Sequence, residues 1–119
     1  MTKVLDLREA LESLEPRGPL ALPTAVALDE PMQTWAKTLH AESDGSLTSG
    51  FWKCEPGRSR WDFHDRSEMI YVLDGVMHVQ EDGGSAVTLT AGKSAAFPKG
   101  WSGIWTIDRT IVKFFVITR

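Results

Sequence analysis

The sequence predicts an all-β sandwich or barrel preceded by one short helix, and three patterns support this fold class. From about Gln33 onward, short runs rich in Val, Ile, Thr, Phe and Trp recur at spacings of roughly ten residues. Clusters of Gly, Asp and Pro separate these runs and are typical of tight turns. Before Gln33 the pattern differs, because leucines at helical spacing are followed by a proline-rich stretch. At 119 residues the chain has the length of a single domain.

The N-terminal segment is predicted to contain a helix over residues 6–14. Asp6 stands at the N-cap position and Glu9 at the capping-box position, and leucines follow at helical spacing (Leu7, Leu11 and Leu14). The next stretch, "EPRGPLALP", has three prolines in nine residues, so we expect an extended arm on the surface or along a sheet edge. We therefore divide the chain into a helix and arm at 1–23 and one β-barrel domain at 24–119.

The strands are predicted between named turns. The predicted strands are 33–42, 47–55, 59–64, 67–73, 76–81, 85–90, 94–97, 101–107 and 110–118. The Asp-Gly pair in "LDGV" at 73–76 favours a two-residue hairpin, which pairs Leu73 with Val76. A similar two-residue turn at 108–109 pairs Gly103 with Phe114.

Composition excludes several classes of partner. A net charge of -3 and a pI near 5.5 leave no basic surface for nucleic acid. The first fifteen residues are too charged for a secretion signal, and no apolar run is long enough to span a membrane. The single Cys54 cannot form a disulfide within the chain. We expect a cytoplasmic protein with no nucleic-acid or membrane partner.

Two segments carry a resemblance to a known family. "EPGRSRWDFHDRSEMIYVLDG", residues 55–75, resembles the first cupin motif, and "GKSAAFPKGWSGIW", residues 92–105, resembles the second. Three further features make the chain similar to small cupins of the (S)-ureidoglycine aminohydrolase cupin domain family: Gly50 with Trp52, Gly100 with Trp105, one residue later than the family spacing, and Lys113. The resemblance implies an RmlC-like jelly-roll β-barrel.

The resemblance also implies a metal site, which this sequence retains only in part. Asp62, His64 and Glu68 stand at three of the four usual ligand positions, with Asp62 replacing a histidine, and Gly103 stands at the fourth. All three candidate ligands have even numbers, so strand alternation predicts that they share the barrel interior with Ile70. Either they hold Mn or another divalent metal, or they form a metal-free polar cluster. The missing fourth ligand favours the cluster, so no cofactor is expected.

The candidate ligand-binding residues are mostly aromatic. Family position and strand parity place Trp52 and Trp105 in a pocket, and Trp101 and Tyr71 are further candidates. Lys113 completes this set. The predicted turn directs it outward, whereas a one-residue register change directs it inward, where a buried ammonium requires a carboxylate or an anionic ligand.

His78 is the obvious substitute for the missing ligand. The predicted hairpin places it on the face of Tyr71, opposite Glu68, so we exclude it from the site.

Three functional hypotheses follow. The first is a small cupin that binds a small polar or anionic metabolite between Trp52, Trp105 and the Asp62, His64, Glu68 cluster. The second is a Mn-dependent enzyme resembling ureidoglycine aminohydrolase, in which Glu68 or Asp62 moves a proton. The third is a binding or assembly module that forms a homodimer by sheet pairing, because the last strand, "TIVKFFVI", is apolar on both faces.

Overall fold

The computed structural model describes all residues, 1–119, and confirms the all-β class with one N-terminal helix. The elements in chain order are α1 (Leu7–Glu12), β1 (Glu15–Pro19), β2 (Val26–Ala27), β3 (Gln33–Ala41), β4 (Leu47–Cys54), β5 (Gly57–Asp62), β6 (Ser67–Glu81), β7 (Val87–Thr90), β8 (Ser94–Phe97) and β9 (Ser102–Thr118). All strand pairs are antiparallel.

The N-terminal helix begins where its cap predicts. The Asp6 carboxylate accepts a hydrogen bond from the Glu9 amide at 2.8 Å, which satisfies one of the free N–H groups of the first turn. Ala10 is fully buried, whereas Leu7 and Leu11 are each a little under half exposed. No helix in the structure has the length and apolar character needed to cross a membrane. The expected extended arm is β1, which pairs with β3 at one end of the sheet.

Strand β9 is the centre of the fold. One edge of β9 pairs with β4 and β5, and the other edge pairs with β6. Strand β6 also pairs with β7 and β8. The sheet curls around a core made mostly of aromatic and branched side chains. Its largest fully buried members include Trp61, Trp105, Phe63 and Phe97.

The two predicted hairpins inside β6 and β9 are wrong. Each strand continues through its predicted turn, and the two pair with each other along their length with register shifts between Val72 and Met77. Gly75 has φ +97°, and a Cβ added there would lie 2.8 Å from the Arg109 carbonyl oxygen. The Asp-Gly pair therefore forms a bend within a paired strand, where the neighbouring backbone approaches closely.

The continuous strands change two predicted pairings. Gly103 pairs with Trp61 on β5 and Glu81 on β6, and Phe114 pairs with Phe51 and Tyr71. The predicted pairs Leu73–Val76 and Gly103–Phe114 do not exist, because the chain does not reverse at either position.

Candidate functional site

A cavity opens between the inner faces of β4, β5, β6 and β9. Its volume is about 350 Å³, within the range of roughly 300–1,000 Å³ usual for small-ligand sites. The residues that line it are Pro23, Thr24, Trp52, Trp61, Asp65, Arg66, Glu68, Lys113, Phe115, Ile117 and Arg119.

A buried ion pair forms part of the cavity wall. Lys113 Nζ donates to Glu68 Oε2 at 2.6 Å, and the two side chains are 2% and 3% exposed. Lys113 points inward because β9 is continuous and pairs it with Trp52 and Val72. Of the two registers open from the sequence, the inward one is therefore observed, and the carboxylate that it requires is Glu68.

Three indoles surround the Lys113 ammonium. Its Nζ lies 4.5 Å from the ring centroids of both Trp52 and Trp105, and 5.2 Å from that of Trp61. Cation–π attraction compensates part of the lost hydration. Burial nevertheless lowers the pKa of Lys113 below its usual value of 10.5, although the Glu68 carboxylate acts in the opposite direction.

A second buried cation lies on the cavity wall. Arg66 is 5% exposed, donates from Nη2 to the Thr24 carbonyl oxygen at 2.9 Å, and stacks over the Phe63 ring at 4.8 Å. At the mouth, Asp65 lies 3.5 Å from Arg66 and 3.7 Å from Arg119.

The charges on the lining favour an anion. Three cationic side chains, those of Arg66, Lys113 and Arg119, face two carboxylates, those of Asp65 and Glu68, so the lining carries a net charge of +1. The charges are set among apolar walls of Trp52, Trp61, Phe115 and Ile117.

The structure separates the three predicted metal ligands. Glu68 faces the interior as predicted, but Asp62 and His64 are exposed, with side chains 64% and 74% accessible. The alternation of β5 buries Trp61 and, beyond it, Phe63, and the turn before β6 does not preserve the parity that we assumed. The predicted common face of Asp62, His64 and Glu68 is therefore wrong.

Asp62, His64 and Glu68 do not fit the metal site that the fold family implies. No group of three His, Cys, Asp or Glu side chains is close enough to hold a metal ion. Asp62 instead accepts a hydrogen bond from the Ser102 hydroxyl at 3.1 Å, and His64 Nδ1 lies 4.0 Å from the Asp62 carboxylate, outside the cavity.

The fourth ligand position is closed by packing. Trp101, Gly103, Trp105 and Ile107 all face the interior, as strand parity predicts. A Cβ added at Gly103 would lie 2.6 Å from Cη2 of Trp101, so this indole fills the space of a ligand side chain. Phe114, which the predicted turn paired with Gly103, lies on the opposite face against Phe51.

The predicted aromatic contacts divide into two groups. Trp52 lines the cavity, whereas Trp105 lies behind it, stacked on Trp61 at 3.7 Å, and Trp101 packs against Phe97. Tyr71 is exposed on the outer face of the sheet and does not reach the cavity.

His78 also lies on the outer surface, as predicted, between Thr88 at 2.9 Å and Asp108 at 2.6 Å.

Sequence reasoning missed Trp61, Arg66 and Phe115 as cavity residues. One signal for Trp61 was present, because "SRWDFH" alternates Ser, Trp and Phe with Arg, Asp and His. This period-2 pattern indicates that the odd positions, Ser59, Trp61 and Phe63, are buried. Arg66 follows β5 in a turn, where no periodicity predicts the direction of a side chain.

The curled antiparallel barrel with a cavity between its inner faces defines the cupin class, and sequence comparison shows the family. The model of the EutQ-like cupin domain matches residues 41–115, which is more than half of the chain. The chain belongs to this cupin family, and the predicted cupin membership is confirmed. No curated protein matches the sequence significantly.

Solved structures support the fold. The chain is similar to a DUF861-family protein from Pseudomonas syringae pv. tomato str. DC3000, with 20% identity, a TM-score of 0.73, and coverage of 88% of this chain and 44% of that one. EutQ from Clostridium difficile gives 21% identity, a TM-score of 0.62, and coverage of 73% and 63%. Ectoine synthase from P. lautus gives 14% identity, a TM-score of 0.69, and coverage of 98% and 78%. The chain thus spans less than two thirds of the first two proteins.

Proposed function

We propose that this chain binds a small anionic metabolite, such as a carboxylate, in the cavity between Trp52, Arg66, Glu68 and Lys113. The binding requires no metal, because the charged groups of the cavity supply the recognition. Arg66 and Arg119 can donate hydrogen bonds to a ligand carboxylate, and the indole and phenyl walls can contact its carbon chain.

The observation that carries this proposal is the buried Glu68–Lys113 pair on the cavity wall. Burying two charges costs several kcal/mol per ion before their attraction is counted, and apolar replacements are often equally stable or more stable. A contribution to stability therefore does not by itself explain why the chain has an ion pair whose side chains are only 2–3% exposed. Charged groups in a cleft, with a perturbed pKa, are typical of a functional site.

Isothermal titration tests this proposal. Small mono- and dicarboxylates titrated into the full chain should release or absorb heat with saturation, and neutral amides of the same size should not. Arg119→Gln should weaken binding by about tenfold, since it removes one charge-assisted hydrogen bond. Arg109→Gln is the matched control, because Arg109 is exposed and lies near Asp74, outside the cavity. No saturable heat from any anion would contradict the proposal.

The alternative is a Mn-dependent hydrolase similar to ureidoglycine aminohydrolase. The feature in its favour is Glu68, a buried carboxylate on the cavity wall that could move a proton. The separation of Asp62 and His64 from Glu68 counts against it, since it leaves one carboxylate where a metal needs several ligands. Elemental analysis of the purified protein decides this point: stoichiometric Mn, Fe or Zn supports the hydrolase.

A homodimer is the assembly that we propose. Both edges of β9 are occupied within the chain, so pairing through this strand would have to use its face. The outer face of β6, β8 and β9 is apolar, and a shallow groove there is lined by Met69, Ile70, Tyr71, Ser94, Ala95, Ala96, Phe114 and Val116. None of these residues is charged, which suits a sheet face packed on a second copy of itself.

A further inference from the structure

We infer that Lys113 is an amine nucleophile that captures the carbonyl carbon of an α-keto acid as an imine, with Glu68 as the proton carrier. This inference rests on the proposed anion pocket and names both the class of ligand and the reaction. Its basis is the placement of the amine, the carboxylate and the two arginines around one cavity.

The surroundings of Lys113 Nζ suit a neutral amine as well as an ammonium. An ammonium has three N–H donors, but the only hydrogen-bond acceptor here is Glu68 Oε2. The other close neighbours are the ring faces of Trp52, Trp61 and Trp105. Because both side chains are almost fully buried, moving the proton to Glu68 replaces a costly buried ion pair by a neutral amine and a neutral acid.

The remaining lining indicates why the carbonyl compound is a keto acid. Arg66 and Arg119 supply two guanidinium groups for a carboxylate. In an α-keto acid the carbonyl carbon is bonded directly to the carboxylate, so an anchored carboxylate holds this carbon inside the same cavity as Lys113. A short alkyl group would face Phe115 and Ile117.

The reaction is balanced without an oxidant or a reductant. Glu68 takes one proton from the Lys113 ammonium, and the amine lone pair then forms the C–N bond as the C=O π bond breaks. A second proton passes from this nitrogen to the carbonyl oxygen, which becomes a hydroxyl. The C–O bond then breaks as Glu68 returns a proton, and the oxygen leaves as water. One ammonium and one carbonyl thus give one protonated imine and one water, and the imine pairs with the Glu68 carboxylate as the ammonium did.

Reductive trapping tests the inference on the full chain. The protein is incubated at neutral pH with pyruvate or glyoxylate and sodium cyanoborohydride, and the modified residue is located by peptide mass spectrometry. The expected product is a mass gain at Lys113 equal to the keto acid less one oxygen atom. Labelling at Lys113 should exceed that at Lys53 by about tenfold or more, because the cavity holds the bound keto acid beside Lys113, and positioned groups react at high effective concentration.

Two variants sharpen the test. Lys113→Arg keeps the positive charge but should lose the adduct, whereas Lys53→Arg should retain it. Lys53 is the matched control because it also lies over an indole, that of Trp35 at 4.7 Å, but has no carboxylate partner. Glu68→Gln should slow trapping by about tenfold or more, since it removes a general acid–base group. Circular dichroism of each variant checks that it is folded.

The outcomes separate this inference from the proposed function. Labelling that follows exposure, with Lys53 modified as readily as Lys113, overturns the imine chemistry. If lactate or propionate binds by calorimetry but no keto acid is trapped at Lys113, the anion pocket stands and the inference falls. If no anion binds and nothing is trapped, both fall.

Discussion

At the scale of single residues, the main feature of this protein is the buried ion pair of Lys113 and Glu68. They come from strands that are far apart in sequence and meet at 2.6 Å inside an aromatic cage. Neither side chain is stable there alone, because the loss of one partner leaves an uncompensated buried charge. The pair is therefore expected to behave as one unit in mutagenesis.

Urea unfolding of single and double variants measures this coupling. Lys113→Met and Glu68→Leu should each lower the free energy of unfolding by about 3 kcal/mol or more. The double variant should be more stable than either single variant, since it buries no charge. The exposed pair Arg58–Asp29 is the control and should show much weaker coupling. If the losses in unfolding free energy from the two single variants simply add in the double variant, the predicted coupling of Lys113 and Glu68 is contradicted.

The pH dependence of stability should report the burial of Lys113. Its pKa is lowered in the folded protein, so the unfolded chain holds the proton over a pH range in which the folded chain has released it. Unfolding then takes up a proton, and stability rises as the pH increases from the folded pKa toward 10.5.

The measurement compares wild type with Lys113→Met by urea unfolding at neutral pH and just below pH 10.5. Wild type should gain stability relative to the variant at the higher pH. The Lys53→Met protein, which retains Lys113, should follow wild type. A constant difference between wild type and Lys113→Met would show that the pKa of Lys113 is not lowered.

Cys54 should not react with thiol reagents in the folded protein. It is fully buried, and this burial raises the pKa of its thiol to about 12. The reactive form is the thiolate, so DTNB at about pH 8 should release almost no colour from native protein. The same reagent in denaturant should titrate one thiol per chain. A rapid reaction of the native protein would show that Cys54 is accessible.

The long paired strands β6 and β9 are the elements that build the cavity. Their backbones bend together near Gly75 and Arg109, and the buried residues of β6 are even-numbered before this bend and odd-numbered after it. This change of parity lets one strand supply Glu68 to the cavity and Met77 and Val79 to the core. A hairpin at either position would remove these pairings.

The close packing around Gly103 on β9 leads to a prediction at the scale of the structural elements. Gly103→Ala should destabilise the protein by about 1–3 kcal/mol, because the new methyl group overlaps the Trp101 ring and the Gln80 carbonyl oxygen. Gly84→Ala is the control, since its nearest neighbour, the Glu81 carbonyl oxygen, is 3.3 Å from the added Cβ. Thermal unfolding of both variants measures the difference. Equal stability of the two would show that Trp101 moves aside freely.

At the scale of the whole molecule, the exposed apolar face of β6, β8 and β9 predicts the oligomeric state. Light scattering should give the mass of a dimer at micromolar concentration, and Met69→Glu should shift the protein toward monomer, because it places a charge in the apolar interface. Val87→Glu is the control: Val87 is equally exposed, at 54% against 55% for Met69, but lies on β7 outside this face. A monomeric wild type would exclude the dimer.

Local sequence patterns predicted much of the fold. The N-cap at Asp6, the extended arm, the positions of β3, β4 and β8, and the inward face of Trp101, Gly103 and Trp105 follow from capping, proline chemistry and strand alternation. These effects depend on neighbours in the chain, so they can be recognised in one sequence. The resemblance of two motifs supplied the cupin class, which the family match confirms.

The site depended on contacts that no local pattern contains. The sequence alone predicted Glu68 on the inner face, and it limited Lys113 to two registers. Only the tertiary structure decided between them, because residues 108–109 can form a two-residue turn or continue a strand, and here they continue β9 alongside β6. Because β9 continues through them, Lys113 keeps the parity of Trp101 and Trp105 and points inward to Glu68. The turn between β5 and β6 changes the buried positions from odd to even, and so it separated Asp62 and His64, which are in solvent, from Glu68.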